Sequence, residues 1–207
     1  FARPLFQFAQ AGQYIAAADF SPFGRRQGAQ IVVVGRVVAQ RGRRAAGGNQ
    51  ARRNSRFSFM IIGVPREIKD QEYRVAMLPS AAYQLIKRGH TVIVENGAGV
   101  GAGYSDQEYH RAGAKLVDSH AAVFDQADLI VKVKEPLAAE YPLLRPGQLV
   151  FTYLHLAASK PLTQALTKSG ATCIAYETIE VNKRLPLLEP MSEIAGRMSV
   201  LVGGYFL

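Results

Sequence analysis

The chain has 207 residues, 48% of them hydrophobic, enough for one ordinary core and part of a second, which excludes a disordered chain. A single cysteine, Cys173, excludes an internal disulfide framework and Cys-rich zinc modules, fits a reducing compartment and reads as core. No stretch nears the roughly 18 consecutive apolar residues of a membrane-crossing helix, so a soluble protein is expected. The formal net charge of +9 would suggest an anionic partner if it were spread over a folded body. It is not spread. Residues 1–59 carry ten Arg and one acid, Asp19, while residues 60–207 hold 15 basic and 15 acidic residues, a net of zero.

The basic leader is rich in Gln, Arg, Ala and Gly, and its one apolar run, "IVVVGRVV", is too short and interrupted to anchor a domain. It reads as an unstructured basic leader. Three origins remain open: translated upstream sequence, which the composition favours, an Arg-rich, acid-poor transit peptide, and a nucleic-acid-binding arm. "RRNSRFSF" lacks the Lys and interleaved aromatics of a good single-strand binder. Met60 opens a segment of ordinary composition and reads as the natural first residue.

From Met60 onward, β-branched runs alternate with helical stretches, the pattern of βαβ units and a Rossmann-like parallel α/β sheet with flanking helices. Strands are expected at 60–64, 91–95, 115–117, 128–133, 148–153 and 172–176. Pro79 and Ser80 open a helix whose Ala82, Leu85 and Ile86 fall at i, i+3, i+4 and whose Gly89 suits the C′ position. Ser105 and Glu108 form a capping box. After Ser159 and Pro161 a further helix closes on Gly170. "PMSEIAGRMSVLVGGYFL" reads as a long helix cut off by the chain end, so a truncated chain is expected.

Two constellations carry chemistry. In "ENGAGVGAGYS", Gly97, Gly99 and Ala102 satisfy G-x-G-x-x-A after a strand, with Asp118 about 20 residues on as a ribose-binding acid. The fingerprint needs a helix to begin within the glycine run, yet Gly103 and Tyr104 intervene before the cap at Ser105. A phosphate cradle and a flexible loop lining a cleft both remain open, the loop favoured. The second set is Arg74, Lys134 and His155, which fall at or beyond the carboxyl ends of three strands, where open parallel sheets bind ligands. Arg offers a bidentate fork for a carboxylate, Lys a point charge for a carbonyl, and His a proton exchanger near neutral pH. Together they suit a small oxo acid. Singly, Arg74 would be a solvated charge and His155 a core histidine. Lys132 and Lys134 share one strand face by period two, so either could be the exposed one. Tyr176 and Glu177 could line the crevice or serve as a cap. His90, His110 and His120 lack zinc-site spacing, so no metal is implied; serine-hydrolase and P-loop motifs are absent.

The strings "GVPREIKDQEYRVAMLP", "VIVENGAGVGAGYSD", "DLIVKVKEPLAAEY", "LVFTYLHLAAS", "IAYETIE" and "LPLLEPMSEIAGRMS" resemble the amino-terminal part of bacterial alanine dehydrogenase, in the alanine dehydrogenase and nicotinamide nucleotide transhydrogenase family. The resemblance runs from Met60 to Leu207. It implies a division into the leader at 1–59, a substrate and catalytic domain at 60–190, and at 191–207 the start of a helix leading to an NAD-binding domain. It also implies that Arg74 and Lys134 bind the carboxylate and carbonyl ends of pyruvate or alanine. By the same resemblance His155 is the acid/base, Ser192 touches the nicotinamide cofactor and Met191 walls the pocket. The family's dinucleotide fingerprint and catalytic Asp would lie beyond residue 207, so the fragment is expected to bind NAD poorly and to be inactive alone. The complete enzyme would be a cytoplasmic homo-oligomer, a hexamer, interconverting L-alanine with pyruvate and ammonia, with no nucleic-acid or membrane partner. The first alternative is the related first domain of the transhydrogenase α subunit, against which the His of "TYLHLAAS" speaks. The second is a non-catalytic binding fragment whose leader contacts nucleic acid.

Overall fold

A computed structural model describes residues 59–207; the leader readings lie outside these residues. Six strands form one wholly parallel sheet: β1 (Ile61–Val64), β2 (Thr91–Glu95), β3 (Lys115–Val117), β4 (Leu129–Val131), β5 (Leu149–Thr152) and β6 (Thr172–Ala175), in spatial order β3-β2-β1-β4-β5-β6. Every strand falls within a sequence-predicted run. The expected 128–133 strand is shorter than foreseen, because pairing with β1 ends at Ile130 and the β5 ladder at Val131.

The helices are α1 (Pro79–Lys87), α2 (Asp106–Arg111), α3 (His120–Gln126), α4 (Lys160–Ser169) and α5 (Glu189–Phe206). The starts of α2 and α4 follow from caps read in the sequence. Ser105 donates through its backbone N–H and its hydroxyl to the Glu108 carboxylate at 2.7 and 2.9 Å, closing the capping box of α2. Ser159 accepts the Leu162 N–H at the start of α4, which ends at Gly170 in the left-handed region at φ 74°.

Alternate strand residues feed two cores. Ile62, Val64, Val92 and Val94 pack with Ala82 of α1 and Tyr109 of α2. Ile93, Ile130, Val150 and Cys173 pack with Val123 and Phe124 of α3 and Leu162 and Leu166 of α4. Cys173 is core, as expected, and burial pushes its thiol up to about 11. Because the strand order runs outward in both directions from the β1–β4 pair, the loops after these two strands part there and leave a crevice at the carboxyl edge.

Candidate active site

Arg74 lies in the loop between β1 and α1, Lys134 just past β4, and His155 just past β5. The three therefore flank the point where the strand order diverges. Electrostatic and ring contacts tie them together. The Tyr153 ring stacks on His155 with centroids 6.0 Å apart, and burial raises the Tyr153 phenol while the charge of Arg74 opposes that rise. Glu72, held by Arg74, also feels Lys134.

The Arg74 side chain is 48% exposed, yet its guanidinium is held by partners. Its Nε and Nη2 donate to Glu72 Oε1 and Oε2 at 2.7 and 2.5 Å, while Nη1 points at the Met191 sulfur at 3.1 Å. This side-on pair raises Arg74 and lowers Glu72 from their ordinary values, chiefly through the hydrogen bonds themselves. Glu72 thus occupies one flank of the fork. The terminal flank meets only a thioether, a weak acceptor that a carboxylate can displace.

The ambiguity between the two lysines is resolved by a bend. Had the strand continued, Lys132 and Lys134 would share a face; instead pairing ends at Val131 and the chain bends at Val133 and Lys134. Lys132 is 1% exposed, with Nζ at 2.6 Å from Glu140 and 3.4 Å from Glu67. Lys134 is half-buried at the crevice, and among the described residues no carboxylate lies within ion-pair distance of its ammonium.

His155 is exposed and its backbone sits in the left-handed region, at φ 47° and ψ 39°. A non-glycine residue holds that conformation only when its surroundings impose it. Here Glu177, just past β6, accepts the N–H groups of Leu154 and His155 at 3.0 and 2.8 Å. Of the two roles left open for Glu177, capping is the one seen, and what it caps is the turn that presents His155.

The glycine loop makes no phosphate cradle. The Gly97 N–H donates to Asp106 at 2.8 Å, the start of α2 is filled by the Glu108 carboxylate, and Asp118 pairs with Asn96. The loop serves packing: a Cβ on Gly101 would stand 2.9 Å from the Tyr73 carbonyl oxygen, so only glycine lets it back the segment that carries Arg74. Ser192 lies one residue past Met191 but lines a separate hollow with Lys183, Arg184 and Leu188. The structure does not bring it together with Arg74, Lys134 and His155.

Over residues 63–195 the chain matches the family described as "Alanine dehydrogenase/PNT, N-terminal domain". The chain belongs to this family. Its relatives among the alanine dehydrogenases include those of Mycolicibacterium smegmatis, 53% identical over 149 residues, and Halomonas elongata, 56% identical over 149 residues. Each match covers 72% of this chain and 40% of the relative, so the chain spans about two fifths of their length. A solved L-alanine dehydrogenase is 55% identical, with a TM-score of 0.69 over 72% of this chain and 41% of that one. A transhydrogenase from Sinorhizobium meliloti is more distant, 34% identical with a TM-score of 0.53 over 56% of this chain and 33% of that one.

Sequence reasoning missed Glu67, Glu72 and Tyr153 as neighbours of the candidate residues. Glu72 carried one usable signal, its i, i+2 spacing to Arg74 in a loop. Glu67 carried none, because its partners lie 66 and 67 residues away.

Proposed function

We propose that the chain is the substrate-binding part of an NAD-dependent alanine dehydrogenase, interconverting L-alanine with pyruvate and ammonia. The observation that supports this reading is the convergence of Arg74, Lys134 and His155 at one carboxyl edge of the sheet, in a chain more than 50% identical to alanine dehydrogenases. The pyruvate carboxylate would take the Nη1 flank of Arg74 in place of the Met191 sulfur, while Glu72 holds the other flank and fixes the plane of the fork. Lys134, the crevice lysine without a carboxylate partner, would donate to the keto oxygen and make the carbonyl carbon electrophilic toward ammonia. His155 would take a proton from the added ammonia and return it to the hydroxyl that leaves as water.

The resemblance calls for a nicotinamide as hydride carrier. The described residues do not fit its pyrophosphate, since the glycine-loop amide and the α2 start are already satisfied internally. Ser192 would be this chain's contact to the nicotinamide. The enzyme would be a cytoplasmic homo-oligomer, a hexamer, with no nucleic-acid or membrane partner; no helix among the described residues is long and apolar enough to cross a membrane.

Saturation-transfer NMR with pyruvate tests the site. Transfer is expected with the unaltered chain and is lost in Arg74→Ala and Lys134→Ala. Equal transfer in both variants would sink the reading. Where pyruvate amination is measured, His155→Ala lowers the rate by about 10²–10⁴-fold while retaining pyruvate binding.

A further inference from the structure

Beyond Val131, the chain that carries Lys134 still runs beside β5. The Lys132 N–H donates to the Phe151 carbonyl at 3.1 Å, the Tyr153 N–H donates to the Val133 carbonyl at 3.3 Å, and the Thr152 hydroxyl donates to the Lys134 carbonyl at 2.8 Å. On its other flank β1 has already ended at Val64. A side chain stands where strand backbone would be. Glu67 Oε1 accepts the Val133 N–H at 2.6 Å and the Lys134 N–H at 3.4 Å. Its Oε2 faces Lys132 Nζ at 3.4 Å and takes no hydrogen bond among the described residues. The Glu67 side chain is 3% exposed, too buried to be an incidental surface carboxylate.

We propose that Glu67 is a positioning residue for Lys134: by accepting the Val133 and Lys134 N–H groups in place of a neighbouring strand, and by drawing Lys132 inward, it imposes the bend that aims the Lys134 ammonium into the crevice. Either half alone would be insufficient. Without the backbone contacts the segment has one flank of support, and without the charge Lys132 has only Glu140 to hold it beneath the surface. Burial pushes the Glu67 carboxyl up and Lys132 opposes this, so carboxyl and ammonium act as one unit. The role of Lys134 toward the oxo acid rests on the function proposed above; the aiming of Lys134 by Glu67 does not.

The test uses the full chain and acetic anhydride, with acetylation at Lys134 located by mass spectrometry and normalised to Lys168, an exposed lysine on α4. Pyruvate is titrated to find the concentration that half-protects Lys134, and thermal unfolding is recorded in parallel. Glu67→Gln puts an amide NH₂ against either the Lys132 ammonium or the Val133 N–H, and Glu67→Leu removes both interactions. Half-protection is expected to need roughly tenfold more pyruvate in Glu67→Gln and more again in Glu67→Leu, in line with the steep cost of misplacing a substrate-binding group. Asp128→Ala, which removes the acceptor of the Ile61 N–H at the amino edge of the sheet, lowers the melting temperature and leaves half-protection unchanged. Unchanged half-protection in a folded Glu67 variant overturns the proposal. If pyruvate fails to protect Lys134 in the unaltered chain, the oxo-acid reading falls, and Glu67 is judged on acetylation alone. A Lys134 rate altered in Glu67→Gln then upholds its positioning role, and an unaltered rate ends it.

Discussion

Two groups of charge sit at the same carboxyl edge of the sheet, and two lysines two residues apart belong one to each. Lys132 enters a closed network: it pairs with Glu140 and Glu67, Glu140 reaches His120, and His120 reaches Glu95, whose carboxylate also accepts the Arg66 N–H. Lys134 belongs to an open group with Arg74 and His155, in which no carboxylate among the described residues lies within ion-pair distance of the Lys134 ammonium. The closed network tolerates burial because its charges compensate one another. The open group stays reactive because its compensation is incomplete. The contrast separates residues that hold the edge together from residues proposed to meet a ligand, although all are polar.

Removing Lys132 should break this comparison hardest. Lys132→Met leaves Glu140 and Glu67 buried without their ammonium, and chemical denaturation should show a loss of about 3–5 kcal/mol. Lys134→Met, by contrast, should stay within about 0.5 kcal/mol of the parent while abolishing pyruvate saturation transfer. Equal stability of the two variants would erase the distinction between the groups.

Between these extremes lies the glycine loop. Gly101→Ala forces a methyl group toward the Tyr73 backbone, and a cost of about 1–3 kcal/mol is expected in thermal or denaturant unfolding. If the loop does back the Arg74 segment, pyruvate saturation transfer should weaken as well. A stability loss with unimpaired transfer would confine the loop to packing.

The pH dependence sharpens the comparison more gently. Burial alone would lower His120, but hydrogen bonds to Glu140 and Glu95 outweigh it and hold the imidazole up to about 9, against an ordinary 6.5. A histidine raised in the folded state contributes stability that is complete below about 6.5 and is lost as pH rises through about 9. Denaturation midpoints should therefore fall across that window, and His120→Gln should flatten the decline. A slope unchanged in His120→Gln would remove the imidazolium from the network. The smallest expected effect is that of Asp128→Ala, about 1 kcal/mol from the lost Ile61 N–H bond at the amino edge of the sheet, with no change in pyruvate protection.

Much of this was legible along the chain. The strands announced themselves as short β-branched runs, and the caps at Ser105, Ser159 and Gly170 are local chemistry acting within a few residues. Arg74, Lys134 and His155 could be placed at strand ends because a parallel sheet puts all its carboxyl ends on one edge. What could not be read was the choice between Lys132 and Lys134. Period two presumes a continuing strand, and the end of the β4 ladder at Val131, with a bend beyond it, defeats that presumption. The glycine pattern, already disfavoured as a phosphate cradle, shows a related limit: Gly-x-Gly-x-x-Ala specifies spacing, whereas a phosphate site requires free N–H groups, and here Asp106 and Glu108 take up the loop amide and the helix start.

The amino-acid sequence by itself determined the alternation of strands and helices, the caps at Ser105, Ser159 and Gly170, and the placing of Arg74, Lys134 and His155 at strand ends, because these depend on periodicity and on interactions spanning a few positions. Tertiary structure alone decided which lysine is buried, which carboxylates orient Arg74 and the His155 turn, and that Glu67 stands in for a strand. Those outcomes depend on where a backbone N–H finds an acceptor once its neighbouring strand has ended, and in Glu67 the acceptor comes from 66 residues away.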